Sequence, residues 1–424
     1  MGVGRRLVRL PPGPAGPLAI ASFIDWSGTG VWLATSSVLM VKVVHLAPTQ
    51  VGLGLTAGGV LGLAAVWPVT TATRRLPARR VAVTLQLLRG LCFLSFLLVH
   101  SAPAYYLAAG LVALVDRPTA SVNQVLVSRY VPAAGRTAAL AAMHVAVNAG
   151  MMTGALAASA ALLLPSRASL DAVVTANSLS FIGAAWQVRR ATAGPQAEPA
   201  RVPGGGPAAR AGWLGGRFLL VTVGCAVLAL LFPLFNVEVP LWLTTRTQVP
   251  TVTVSALFLL NTALVVMFQA RLSRRAAGIP GGIRAAAMAG LAIACCCGLL
   301  AALPGLLTWV AAVGFVLAAA LLTLGEMNQG SAAWTLSFGM SPPQDMTRSL
   351  ALFNTGQAAA FVLGPALCTS AVAWAGRGGF AVIAVIVAAG TGCVALGARR
   401  WQAPAPWPAS GQPDEAAPAV IAES

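Results

Sequence analysis

The sequence predicts an all-α integral membrane protein: twelve transmembrane helices in two pseudo-symmetric six-helix halves. Three observations carry this expectation. Of the 424 residues 58% are hydrophobic and only 9% are charged, against roughly 25% charged in soluble proteins. Apolar runs long enough to cross a bilayer, roughly 18 residues or more, recur twelve times. The arginines cluster between alternate runs, as they do when a chain threads a membrane repeatedly.

The runs lie near residues 17–42, 50–70, 82–101, 104–128, 138–163, 169–188, 217–243, 252–270, 285–303, 306–330, 349–373 and 379–398. With the N-terminus inside, twenty-one arginines fall in cytoplasmic stretches, and only Lys42, Arg167, Arg246 and Arg377 fall in outer ones. This asymmetry places both termini in the cytoplasm of a multi-pass plasma (inner) membrane protein. It also accounts for the net charge of +17 topologically, so no nucleic-acid partner is called for. Long uncharged runs exclude an ordinary soluble enzyme and a disordered chain.

Taken in order, the first run follows Arg5, Arg6 and Arg9 as a signal peptide would. It is too long for one and contains Asp25 and Trp26, so it reads as a retained span. Thr29, Trp32 and Ser36 follow Asp25 at i+4, i+7 and i+11, the stripe expected of a cavity wall. Arg89, one of two arginines inside spans, sits in the third run as a possible partner for Asp25. The fourth run carries adjacent Asp116 and Arg117, about 100° apart on a helix. Asp116 shares a ribbon with Thr119 and Asn123, Arg117 with Ser121 and Gln124. His144 stands alone in the fifth run, where a structural role is expected.

The six-span halves 1–188 and 217–400 are joined by a Gly/Pro/Ala-rich stretch, 189–216, that reads as a flexible cytoplasmic linker. Residues 401–424 read as a disordered cytoplasmic tail. In the seventh run Asn236 faces the cavity, while Glu238 is expected near the outer surface in contact with water. The tenth run is interrupted by Thr323, Glu326, Asn328 and Gln329, and the eleventh carries Asn354 and Gln357 on one face.

A shift of 210 residues lays the fourth span without gaps over the tenth. Leu107, Ala108, Ala109, Leu111, Leu114, Ser121, Leu126 and Pro132 meet identical residues, and Asp116 falls on Glu326. The loop ATRRLPARR after span two is echoed by QARLSRR after span eight. Duplication implies two halves related by an axis along the membrane normal, with a midplane cavity between them.

These features resemble the major facilitator superfamily, in particular its drug-efflux proton antiporters, over the chain from about Pro17 to Arg400. The family's loop pattern G-x-x-x-D-R-x-G-R-R aligns with Thr70 to Arg80. Arg75, Arg79 and Arg80 match, while Thr70, Arg74 and Pro77 replace the first glycine, the aspartate and the second glycine. Arg117 and Gln124 stand where the family often has a buried arginine motif in span four. Gly150 and Gly154 keep part of the span-five G-x-x-x-G-P element, with Ala155 in place of proline. The resemblance implies alternating access, with Arg75, Arg79 and Arg80 in a gating loop.

An ionised side chain at mid-bilayer costs about 2.5–3.5 kcal/mol on insertion scales, so each needs a reason to be there. Asp25, Asp116 and Glu326 are the candidate proton-coupling carboxylates, each able to act instead in an interhelical ion pair or hydrogen bond. Arg117, Asn123, Gln124, Thr29, Trp32, Asn236, Gln329, Asn354 and Gln357 are the candidate cavity residues. The seven cysteines lie in apolar runs without a C-x-x-C pair or a histidine partner and read as packing residues. No metal, cofactor or catalytic residue is expected, and phosphate-loop, H-E-x-x-H and G-x-S-x-G motifs are missing. The expected function is a monomeric secondary transporter that expels a small lipophilic or cationic molecule by proton antiport. Proton-coupled uptake of a small metabolite, or a non-transporting membrane protein or enzyme on the same scaffold, are the alternatives.

Overall fold

The structure is a computed structural model that describes residues 13–163, 166–194, 215–250 and 252–399; the linker beyond Gly194 and the C-terminal tail lie outside them. The first half contains α1 (Ala15–Lys42), α2 (Pro48–Ala72), α3 (Ala78–Leu94, prolonged by a 3-10 turn Ser95–Leu98), α4 (Ala102–Asp116), α5 (Thr119–Tyr130), α6 (Arg136–Leu163) and α7 (Arg167–Ala191). The second contains α8 (Gly216–Leu228), α9 (Val239–Arg246), α10 (Val252–Arg275), α11 (Gly278–Ala302), α12 (Thr308–Gly339), α13 (Met346–Ala375) and α14 (Arg377–Ala398). With α4–α5 forming one crossing and α8–α9 another, twelve crossings result. Described residues contain no strand, as expected where every backbone group must be bonded within its own segment.

Most helices outrun their apolar cores by a few residues at the arginine-rich end, where α10 continues to Arg275 and α12 to Gly339. Charged and polar side chains can carry a helix out of the hydrocarbon there without desolvation cost. Two crossings are broken, and proline is the cause in both. Pro118 has no N–H to continue the α4 ladder, so α5 restarts at Thr119. Between α8 and α9, Pro233 and Pro240 bracket a π-turn, Leu234–Glu238, in which the Val239 N–H reaches back to the Leu234 carbonyl. The aligned spans four and ten are thus equivalent in register but not in shape, since α12 runs unbroken for 32 residues.

Helix pairing repeats between the halves. Spans one and six, two and four, three and six, three and four, and one and five pack together, and so do seven and twelve, eight and ten, nine and twelve, nine and ten, and seven and eleven. The closest approach is between α1 and α6. A Cβ on Gly150 would lie 2.6 Å from the Phe23 carbonyl oxygen, and one on Gly30 2.7 Å from that of Met151; Gly154 abuts Ser27 and Val31 in the same way. Small residues let helices meet backbone to backbone where lipid supplies no hydrophobic drive.

Each half has its own apolar core, but at the arginine-rich end one cluster spans both. Val122, Leu126 and Leu140 of the first half pack there with Leu350, Trp334, Phe338 and Met346 of the second. Thr137 and Thr335 are 3.3 Å apart, and the Arg136 guanidinium lies over the Phe338 ring at 5.7 Å. At the opposite end no extensive packing joins α1 to α8–α10 among the described residues. The cavity is therefore closed at the arginine-rich end by α5, α6, α12 and α13. Exposed Trp309 and Trp374 at the other end, and Trp186 under Arg190 at the arginine-rich end, occupy the levels where aromatic anchors sit in a bilayer.

Replacing Gly154 by Val is expected to wedge α1 from α6 at a cost of about 1–3 kcal/mol or more. The check is the thermal unfolding midpoint in detergent, which should fall for Gly154→Val and stay close to wild type for Gly392→Ala, where the added methyl meets open space.

Candidate functional site

The cavity between the halves, about 570 Å³, is walled by α1, α5, α6, α10, α12 and α13, by Gln86 of α3 and Val188 of α7, and by the segment 231–236 before α9. Its lining is mostly apolar and aromatic, including Trp26, Phe232, Phe235, Phe258, Trp334 and Phe361. Asp25 and Glu326 are the carboxylates in the described lining, and neither lysine nor arginine faces it.

Glu326 sits at the meeting point of the halves. Its Oε1 is 3.1 Å from Nε2 of His144, on α6 of the first half, and its Oε2 accepts a hydrogen bond of 2.7 Å from the Asn261 amide of α10. The Asn261 amide also donates to the Thr323 hydroxyl at 3.1 Å. Asn148, one turn beyond His144, donates to the His144 carbonyl at 3.1 Å, and Trp334 packs its edge on the imidazole at 5.7 Å. Both carboxylate oxygens are thus engaged, one of them across the interface. His144 is not isolated as the sequence suggested.

A second polar group lies within the first half. Arg89 of α3 donates from Nη1 to Asp25 and from Nη2 to Asp116, each at 2.6 Å, so one guanidinium spans two carboxylates. Gln86 donates to Asp25 at 2.9 Å and accepts from Arg89 at 2.6 Å, while the Thr29 hydroxyl donates to Asp25 at 3.4 Å. The guanidinium face rests 4.1 Å above the Phe181 ring. Asp25 is buried at the cavity wall, whereas the Asp116 side chain is 40% exposed and turned away from the cavity. Removing one partner of such a pair leaves an uncompensated charge and costs about 3–5 kcal/mol.

Toward the closed end, amides bridge the halves. The Gln124 amide donates to Ser337 at 2.7 Å and its carbonyl accepts from Asn354 at 2.6 Å, whereas Gln329 donates to Gln357 at 3.1 Å within the second half. Asn123, Gln124, Asn236, Gln329, Asn354 and Gln357 all line the cavity. Three expected cavity residues do not. Trp32 is buried in the first half against Phe93 and Phe96, Thr29 is taken up by Asp25, and Arg117 lies with its stem against Gly62 of α2. The kink at Pro118 turns Arg117 out of the ribbon it would share with Gln124 on a straight helix. Arg75 lies in the loop after α2 and Arg79 and Arg80 in the first turn of α3; none forms an ion pair among the described residues. Closure at that end rests on the amides and the apolar cluster instead. Glu238 is buried rather than solvated, 1% exposed.

Sequence reasoning missed His144, Asn148, Gln86 and Asn261 as site residues. The signal was present: His144 and Asn148 are i, i+4 on an otherwise apolar face, and Asn261 with Thr262 interrupts the middle of the apolar run of α10.

The sequence profile of the Major Facilitator Superfamily matches residues 18–365, and no curated protein matches the chain in sequence. The fold is similar to that of the human organic anion transporter MFSD10 (TM-score 0.70, 13% identity, 91% of this chain and 100% of that one). It is similar also to a bacterial homologue of the iron transporter ferroportin in its outward-facing state (0.68, 14%, 91% and 98%). The Escherichia coli fucose:proton symporter is a further match (0.67, 11%, 91% and 98%). At these identities the likeness carries the fold alone, two six-helix halves. By its sequence profile and by this architecture, the chain belongs to the major facilitator superfamily, a family of membrane transporters.

Proposed function

We propose that the protein is a secondary transporter that exports a lipophilic monovalent cation in exchange for a proton, with Glu326 as the coupling carboxylate. The observation that carries this is the position of Glu326: on the cavity wall, with one oxygen bound to His144 across the interface of the halves. A carboxylate there can hold a proton or a cation but not both with equal strength. Aromatic rings around it supply cation–π and apolar contact, and the absence of a lysine or arginine from the described lining removes the repulsion a cation would meet.

In the cycle, cargo enters from the cytoplasm when the cavity opens at the arginine-rich end and displaces the His144 imidazole from Glu326. Rocking of the halves carries it to the form described above, closed at the arginine-rich end. A proton from outside then neutralises Glu326, the attraction for the cation is lost, and the cargo leaves. Each ligand shifts the equilibrium by its differential affinity for the two forms. Asp25 is screened by Arg89 and serves to shape the wall, with a secondary attraction for the cation. The arginine-rich end is taken as cytoplasmic, in keeping with the charge asymmetry.

The deciding experiment uses inverted vesicles with an acid interior and a pH-sensitive dye. Tetraphenylphosphonium or ethidium should dissipate the gradient for the wild type, and Glu326→Gln should reduce the response at least about tenfold, roughly 1.4 kcal/mol. Inserted wild type that answers to neither cation overturns the export reading in favour of uptake. His144→Ala is expected to leave cation-dependent proton flux present but to lower the cargo concentration for half-maximal response, because Glu326 loses its competing partner.

Arg89→Leu should abolish folded yield in detergent extracts, since it strands Asp25 and Asp116. The triple variant Asp25→Asn, Arg89→Leu, Asp116→Asn should recover it, as removing every charge of a buried set is far less costly than removing one. Size-exclusion profiles of the two variants provide the comparison.

A further inference from the structure

Among the described acids within the spans, Asp25, Asp116 and Glu326 each have polar partners; Glu238 has none. It is 1% exposed, and its Oε2 is buried without a hydrogen-bond partner. Around it lie Leu234, Phe235, Val239 and Trp242 of the core of the second half. The titratable groups that face it are thiols: Cys368 of α13 and, behind that, Cys297 of α11. The nearest cation on its own helix, Arg246, is two turns on and lies over the far indole of Trp242 at 5.6 Å. An ionised carboxylate so placed would lose its hydration with nothing in return, at a cost of several kcal/mol.

Its position in the chain is as unusual as its surroundings. Glu238 closes the π-turn Leu234–Glu238, between Pro233 and Pro240, and Gly364 of α13 lets Pro233 approach closely, a Cβ there lying 2.5 Å from its ring. A π-turn holds one residue more than an α-turn, and its loss turns the two flanking segments by about 100° relative to each other. Phe235 and Asn236 of the same turn line the cavity. A rotation of that size exchanges which residues of the turn face it.

We propose that Glu238 is a second proton-binding site of the transport cycle, loaded in the form described here and emptied toward the cavity when the π-turn re-registers. This rests on the proton-coupled reading of Glu326 and deepens it. With Glu326 alone, exchange of a monovalent cation for a proton is electroneutral. With Glu238 also carrying a proton, net positive charge moves inward with each cation expelled.

The test has two arms. In proteoliposomes with potassium–valinomycin clamped potentials, ethidium exchange by the wild type should respond to membrane potential, whereas Glu238→Gln should exchange ethidium independently of potential and Glu238→Asp should keep the response. In infrared spectra of the purified full-length protein at neutral pH, a carboxylic C=O band at the high-frequency end that marks an acid without hydrogen bonds should be present in the wild type and in Glu326→Gln, and absent from Glu238→Gln. The proposal is overturned if wild type and Glu238→Gln respond alike to potential, or if the band is missing from the wild type or survives in Glu238→Gln. A wild type that moves no ethidium sinks the export reading separately, and the infrared arm then decides whether Glu238 holds a proton.

Discussion

Hydrocarbon offers no hydrogen bonds, and that constraint decides which polar side chains this protein can carry at mid-bilayer and where each must point. Arg89 satisfies two carboxylates at once, Gln86 donates to the same oxygen of Asp25 as Arg89, and Asn261 closes the second oxygen of Glu326. Each of these bonds ties one helix to another. The polar groups therefore act as the register pins of a bundle whose apolar surfaces are interchangeable. Where the pins lie within one half, as at Arg89, they make that half rigid. Where they cross between halves, as at Glu326 and Gln124, they are the contacts that a rocking motion must break.

The two classes of crossing contact differ in a way that matters for transport. Gln124, Ser337 and Asn354 are neutral amides and a hydroxyl, indifferent to pH near neutrality. Their bonds are modest in net strength, about 0.5–1.5 kcal/mol each, and re-form readily. The His144–Glu326 contact is the crossing contact among the described residues in which both partners are titratable. In the proposed cycle, closure by amides and apolar packing is thereby kept apart from the titratable His144–Glu326 contact, the gate from the sensor. The departures at Arg74 and Pro77 from the family's basic loop fit this division, because the closed end does not depend on ion pairs from Arg75, Arg79 or Arg80.

Proline sets the asymmetry between the halves. The aligned spans four and ten share eight identities in register, yet Pro118 breaks one and nothing breaks the other. Asp116 consequently ends a helix and leans on Arg89, while Glu326 sits mid-helix on the cavity wall. Positions that align between the halves thus hold a carboxylate bound within one half and, in the other, a candidate coupling carboxylate.

Composition and run length alone determined the fold class, the number of crossings and the six-plus-six division, because the bilayer imposes one length and one polarity on every span. The rarity of acids in those spans also marked Asp25, Asp116, Glu326 and Glu238 for attention. What only the tertiary structure decided is which way each helix faces. These spans are apolar on all sides, rich in Ala, Gly, Leu and Val, so no amphipathic stripe declares a buried face. Rotation about each axis is set by where glycines allow close approach and where prolines interrupt the ladder. Trp32 and Arg117 therefore turned away from the cavity that their spacing suggested, and His144, a lone histidine in sequence, came to rest against Glu326 from the other half of the chain 182 residues away.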